Sequence, residues 1–366
     1  MLKKIYFCLI VTLFVVPLSF QPVLSKEKKT APGHEIGSFK SYTPIDLEVI
    51  YHPEKVDSSW MAKELGIYAE YNLNVKLTKY EANNNTTMFT LGVVDVVTYL
   101  SDADSGKTDK THYYVARDGR HDQSLVTRKD LRIKSAKDLE GKKIGLLGLK
   151  TVSHLFVLKA LKKVGLSDRD VELVVVSNNE LLKLLQDGEV AAIVGFAPWI
   201  LKPIVEKWGQ EILRLSDLFD PKHFKKMVTD VVVVSKATNL VETLDSTPGE
   251  ATYNDTLVRY LTSLEKVAFS TKKNAFSKNE KGKNEVIVKV LAQQIGFGEK
   301  ILGGLLDQYD ARLTKRRFPI TSSLKVWIDE MAEVGMLSSR PDVKKLANTK
   351  ASKWAGILRR YGLQKY

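Results

Sequence analysis

Residues 138–173 read DLEGKKIGLLGLKTVSHLFVLKALKKVGLSDRDVEL, and a change of period inside this stretch decides the fold class. Ile144–Leu149 is a short apolar run bounded by glycines, the pattern of a buried strand. From Thr151 the spacing becomes helical: Val152, Leu155, Phe156, Ala160 and Val164 share one face, with Lys159, Lys162 and Lys163 opposite. Thr151 and Ser153 stand where an N-cap belongs, Gly165 ends the helix, and Val171–Val176 is the next strand. This order leaves free backbone N–H groups at the carboxyl end of a sheet, a position that suits a small anion. An ordinary N-cap uses the same residues, so the turn alone leaves both readings open.

The same alternation extends outward in both directions. Asp46–Tyr51 is the first strand; Ser58 can cap a helix over Trp60–Leu65, and Asn74–Tyr80 is the second strand. A helix is expected near Thr86–Leu91 and a strand over Val93–Leu100, with Thr98, Tyr99 and Ser101 at its end. The polar run SDADSGKTDKTHYYV (101–115) follows, without a helical pattern. Tyr113–Arg117 and Ser124–Thr127 read as strands, and Ile133–Gly141 as a short helix and turn. Ser177–Glu180 is a capping box opening a helix, Glu189–Phe196 is a strand that ends at Ala197-Pro198-Trp199, and Trp199–Phe219 reads as a helix followed by a short strand at Ile212–Leu215. Val228–Val234 is strongly β, after which helices are expected over Tyr253–Phe269, Val286–Ile295, Leu324–Val334 and Trp354–Tyr361, with a charged loop at Lys272–Lys283. Strands alternating with helices give an α/β protein of two lobes. Residues 43–125 and 230–366 form lobe 1 in this reading, and residues 126–229 form lobe 2. A ligand is expected in the cleft, at the carboxyl ends of both sets of strands.

A chain of 366 residues has room for about two domains, and 44% hydrophobic against 27% charged residues marks it as globular. Residues 1–25 read as a cleaved signal peptide: Lys3 and Lys4, the apolar Ile5–Phe20, then Val23 and Ser25 ahead of Lys26. That apolar run is short beside the roughly 20 residues of a membrane span. Residues 26–42 are a polar linker. The single cysteine, Cys8, lies in the leader, so the mature chain has no disulfide, thiolate nucleophile or cysteine metal site. The formal charge of +13 falls by two when Lys3 and Lys4 leave, and the remaining lysines are spread along the chain. They read as a solubilising basic surface, not a nucleic-acid footprint. The six histidines show no metal-ligand spacing, and neither a G-x-S-x-G elbow nor a P-loop is present. No metal and no cofactor is expected.

Four stretches carry a family resemblance: WMAKELGIYAEYNLNVKL (60–77), the opening stretch, LLKLLQDGEVAAIVGFAPW (181–199) and SLKVWIDEMAEVGML (323–337). Together they resemble the periplasmic substrate-binding proteins of ABC importers, in the nitrate, sulfonate and taurine branch that also holds binders of thiamine pyrimidine precursors. The resemblance spans most of residues 45–365. It implies the two-lobed type II periplasmic binding fold, each lobe a mixed sheet flanked by helices, with a helical C-terminal part. It further implies a periplasmic monomer, not an enzyme, that closes over a small anionic or zwitterionic solute and delivers it to an ABC permease. Two alternatives belong to other classes. One is an enzyme on the same scaffold, thiamine pyrimidine synthase-like or chorismate dehydratase-like; the former carry a cysteine-rich motif that this chain lacks. The other is an exported sensory ligand-binding protein. The polar run after Leu100 departs from the small-residue and proline helix usual in the family.

The candidate ligand residues lie at strand ends and helix starts. Tyr51 and His52 end the first strand, and Trp60 sits on the helix that follows. Thr98 and Ser101 follow the third strand. Thr151, Ser153 and His154 form the anion candidate, which the resemblance turns toward the ligand. Phe196 and Trp199 are either an aromatic wall for the ligand or buried packing. Asp230 lies in the apolar run VTDVVVV and needs a partner if buried, either a ligand amine or a group at the hinge.

Overall fold

Strand β1 (Ile45–Tyr51) shows the period of two that places it: Leu47 and Val49 are buried while Asp46 and Glu48 are exposed. It runs parallel to β2 (Leu73–Lys79), and helices α1 (Ser58–Glu64) and α2 (Ile67–Glu70) make the crossover between them. The computed structural model describes residues 44–51, 57–79, 91–106, 112–197, 199–224, 227–242, 255–270, 296, 298, 321–350 and 353. The leader, the linker, the charged loop and the helices expected at 286–295 and 354–361 lie outside the described residues, as does the helix expected at 86–91 except for Leu91, which is in a strand instead.

Among the described residues the strands form two five-stranded sheets of the same plan. The first has the order β2-β1-β3-β10-β4, with β3 at Leu91–Asp95, β4 at His112–Gly119 and β10 at Asp230–Ser235. The second has the order β7-β6-β8-β5-β9, with β5 at Gln123–Arg128, β6 at Lys143–Leu146, β7 at Glu172–Val175, β8 at Ala192–Phe196 and β9 at Gly209–Arg214. In each, three parallel strands are followed by one antiparallel strand, β10 or β5, which is the first strand after a crossing between the sheets. The chain passes from the first sheet to the second between β4 and β5, and returns between β9 and β10.

The opening stretch folds as its periodicity dictates. Helix α4 (Val152–Lys163) buries Val152, Leu155, Phe156 and Ala160, and the Thr151 side chain accepts from the His154 amide as its N-cap. Helix α5 (Asn178–Asp187) starts at the capping box of Ser177 and Glu180 and ends at Gly188 in the left-handed conformation. Gly145 on β6 lets α5 come close, since a Cβ there would stand 2.6 Å from Leu181 Cδ2.

Three local expectations change. The strand expected through Leu100 stops at Asp95, and helix α3 runs over Val96–Asp104, into the run read as lacking a helix. The Asp95 carboxylate decides this: it accepts from the Val97 and Thr98 amides at 2.9 and 3.1 Å, and the buried Val96, Val97 and Leu100 then lie at helical spacing. Helix α1 is capped by Asp57, whose side chain accepts from the Trp60 amide, and not by Ser58. Between Trp199 and Gly209 only Leu201–Val205 (α6) is helical; Lys207 takes a φ of 69° and β9 begins at Gly209, earlier than the pattern indicated.

The remaining described helices are α7 (Pro221–Phe224), α8 (Thr256–Ser270), α9 (Thr321–Glu333) and α10 (Val343–Leu346). Both apolar cores draw on both sheets. One joins Val49, Trp60 and Leu91 to Val126, Leu181 and Phe196; the other joins Val97, Leu100 and Val233 to Ile144, Phe156 and Trp327. Lys159, read as solvent-facing, instead pairs with Glu330 and Glu333 of α9. Burial opposes its charge, but the hydrogen bonds it donates to the two carboxylates more than offset that and raise its pKa.

Trp327 of α9 is fully buried, stands edge-on to Phe219 at 6.2 Å, and donates its Nε1–H to the Val228 carbonyl at 2.7 Å. It thereby fixes the segment on which the chain returns to the first sheet. Trp327→Phe keeps the ring packing but strands that carbonyl, a cost of about 1–3 kcal/mol. Trp327→Ala also opens a cavity and costs about 3–5 kcal/mol. Urea unfolding of both variants should rank them in this order.

Candidate functional site

The site is built where the two crossing segments meet. His121 interrupts two β runs, and Thr229 precedes β10. The Thr229 amide donates to the Gly119 carbonyl at 3.0 Å, and the Thr229 carbonyl accepts from the Val96 amide at 2.9 Å. The Thr229 hydroxyl accepts from the His121 amide at 2.8 Å and donates to Asp230 Oδ2 at 2.8 Å. His121 Nε2 lies 3.3 Å from the same Asp230 oxygen, and both side chains are buried. Asp230 therefore has its partners in the hinge, which is one of the two alternatives its sequence position left open. The Phe196 ring, at the carboxyl end of β8, lies 5.6 Å from the His121 ring and tilted by 42°.

Helix starts surround this floor. Ser58, the first residue of α1, donates to Asp118 Oδ1 at 2.6 Å, tying the helix to the end of β4. Ser59 Oγ and the Tyr260 hydroxyl are 2.7 Å apart, Tyr68 donates to the Ser59 carbonyl at 3.0 Å, and the Tyr68 and Tyr260 rings stack at 6.1 Å. Burial holds the Tyr68 hydroxyl well above the ordinary tyrosine range, so it stays a donor. Trp60 and Gln123 are buried, and neither Trp60 Nε1 nor Gln123 Oε1 has a hydrogen-bond partner. Gln123 lies opposite Phe196 in the β5–β8 pair.

The carboxyl ends of the two sheets touch at Asp95. Besides capping α3, its carboxylate accepts from the Val152 amide at the start of α4, at 3.2 Å from each oxygen. Thr98 Oγ1 donates to the Lys150 carbonyl at 3.1 Å, and Lys150 holds a left-handed φ of 57°. The Lys150 amide donates to His154 Nδ1 at 3.2 Å.

The sequence candidates are distributed as follows. Tyr51 is half-buried at the end of β1, and His52 lies outside the described residues. Trp60, Phe196 and Trp199 are buried at the carboxyl edges of the strands they follow or end. Thr98 and Thr151 are partly exposed and flank the Asp95 contact. Ser153 is 2% exposed, and Ser101 is buried within α3 with no partner for its hydroxyl. Sequence reading passed over Asp95, Asp118, His121, Gln123 and Thr229. Asp95 had a legible signal: an Asp directly before Val96, Val97 and Leu100 at helical spacing is an N-cap. Nothing in the sequence pairs His121 with Asp230. Among the described residues no group of three His, Cys, Asp or Glu side chains is placed to hold a metal ion.

His154 offers a direct check on this geometry. Its half-buried ring is desolvated, which outweighs the opposing charge of Asp168 and lowers its pKa below the ordinary 6.5. The neutral ring is also what lets Nδ1 accept from Lys150. Because the folded value is the lower one, the unfolded chain binds the proton first, and stability falls as pH drops below 6.5. NMR titration should place His154 below 6.5, and His154→Gln should remove its share of the slope; a midpoint at or above 6.5 contradicts the arrangement.

Comparison with known proteins follows the same outline. Residues 58–239 match the family model described as NMT1/THI5 like. No curated protein sequence matches the chain. The alkanesulfonate-binding protein SsuA of Xanthomonas axonopodis pv. citri, solved bound to MOPS, superposes with a TM-score of 0.65 at 15% identity, covering 84% of this chain and 100% of that one. The periplasmic nitrate-binding protein NrtA of Synechocystis PCC 6803 gives 0.65 at 13% identity, covering 88% and 90%. The desulfurization enzyme DszB gives 0.59 at 15% identity, covering 86% and 99%. At these identities the likeness is one of fold. The chain has the two-lobed α/β fold shared with the periplasmic solute-binding proteins, and its residues 58–239 are similar to the NMT1/THI5-like family.

Proposed function

We propose that this protein is the exported substrate-binding component of an ABC importer, working in the periplasm as a monomer. It takes up a small organic anion or zwitterion, sulfonate-, taurine- or nitrate-like or a thiamine precursor, between its two lobes, and hands it to a permease. The observation that carries this reading is the meeting of two parallel strand sets at their carboxyl ends over a pair of crossing segments. Ligands of open α/β sheets bind at such ends. Closing and opening around the crossings gives the permease two forms to distinguish.

In this reading the walls are Tyr51, His52, Trp60, Thr98, Ser101, Thr151, Ser153, His154, Phe196 and Trp199. The buried Trp60 Nε1–H and Gln123 Oε1 add a donor and an acceptor without partners, each a cost of about 1–3 kcal/mol that a bound polar solute would relieve. The signal-like residues 1–25 support export. A second reading, an enzyme on this scaffold, is favoured by the likeness to DszB.

A thermal-shift screen of the mature protein tests both. The panel is taurine, alkanesulfonates, nitrate, thiamine precursors and riboflavin. A true ligand at ~100 times its Kd stabilises by roughly 2.7 kcal/mol, a readily measured rise in Tm. Binding with no product formed supports the transport reading. Turnover of a hit moves the protein to the enzymes, and a panel without any shift counts against solute capture.

A further inference from the structure

We infer that Asp95 is a resident carboxylate that takes the place of a solute anion at the start of α4, and so holds the edges of the two sheets together before any solute arrives. The inference deepens the solute-binding reading of the cleft and rests on it for its consequence for ligands. The start of α4 is the one place where sequence alone pointed to an anion, because the first amides of a helix have no acceptor within it. The structure supplies that acceptor from the other sheet. Asp95 ends β3, and both its oxygens lie 3.2 Å from the Val152 amide, while Oδ1 also takes the Val97 and Thr98 amides. One carboxylate thus serves two helix starts, α3 behind it and α4 across the cleft. Hydrogen bonds to an ionised acceptor are about twice as strong as neutral ones.

A second bond crosses at the same point. Thr98, in the first turn of α3, donates to the carbonyl of Lys150, the left-handed residue just before the Thr151 cap. The turn that positions α4 is therefore gripped from the opposite sheet at both a donor and an acceptor. A sulfonate or carboxylate seeking the Val152 amide has to displace Asp95 and part the two edges. The position is thus selective against free anions, and solutes are read by the other groups of the cleft.

The two ends of the bond can be removed separately. Asp95→Ser keeps an N-cap for α3 but is too short to reach Val152. Val152→Pro deletes the amide itself; Val152 is the first residue of α4, where proline is favoured, and Thr151 before it has the extended backbone (φ −116°, ψ 171°) that proline requires. The mature chain lacks cysteine, so Lys63→Cys on α1 and Lys137→Cys beside β6 accept a dye pair, both positions being exposed. Energy transfer in the solute-free protein should report one short separation for the parent and a longer one for each variant, with a matching rise in radius of gyration by X-ray scattering. The double variant should open no further than the single ones. Inorganic sulfate should protect the Val152 amide from hydrogen exchange in Asp95→Ser and leave it unchanged in the parent. Unchanged separation in both single variants, or sulfate protection in the parent, overturns the inference. The separation measurement contains no solute, so its failure is distinct from a failure of the ligand screen.

Discussion

Thr229 makes four hydrogen bonds at the point where the chain crosses between its sheets, and the rest of the architecture depends on them. Its amide and carbonyl join Gly119 at the end of β4 to Val96 at the start of α3, and its hydroxyl joins the His121 amide to Asp230. These groups are buried, so each bond replaces one to water and none can be dropped without leaving a polar group unpaired. The crossing segments consequently have a defined register, and that register sets which strand ends of one sheet face which helix starts of the other. The Trp327 indole, bonded to the Val228 carbonyl one residue earlier, extends this anchorage to the C-terminal helices.

From that floor the polar groups divide into those used for holding and those left over. Asp57, Asp95, Asp118 and Asp230 each engage an amide, a hydroxyl or a ring nitrogen of the protein. Buried carboxylates need such partners, and here they double as the ties between helix starts and the crossings. Trp60 Nε1 and Gln123 Oε1 are among the leftover groups of the described residues, and both lie by the edges where a solute is proposed to sit. In the proposed solute-binding reading, selection rests on geometry more than on net charge, which agrees with lysines spread along the chain.

How much of this was legible in the sequence follows from the range over which each feature is decided. The turn and helix of residues 148–163 and the capping box at Ser177–Glu180 are local, since their hydrogen bonds close within four residues. They were readable because period and cap chemistry agreed. The segment after β3 misled because Val93, Val94, Val96 and Val97 favour a strand, while a single side-chain cap at Asp95 turns the second half into a helix. Lys159 misled for a different reason: its face of α4 is polar by pattern, but Glu330 and Glu333 arrive from residues more than 170 positions away.

Sequence by itself determined the alternation of strands and helices, the apolar faces, the caps of α4 and α5, the family likeness and the confinement of cysteine to position 8. Each of these is a property of residue type and short spacing. Only the tertiary structure decided that β10 completes the sheet begun by β1–β4, that His121 meets Asp230, and that the start of α4 faces Asp95. Those pairings depend on where the crossing segments place distant strand ends in space, and no local pattern carries that information. The turn at Thr151–His154 looked like an open seat for an anion because its unpaired amides are a local fact; the carboxylate facing it belongs to the other sheet.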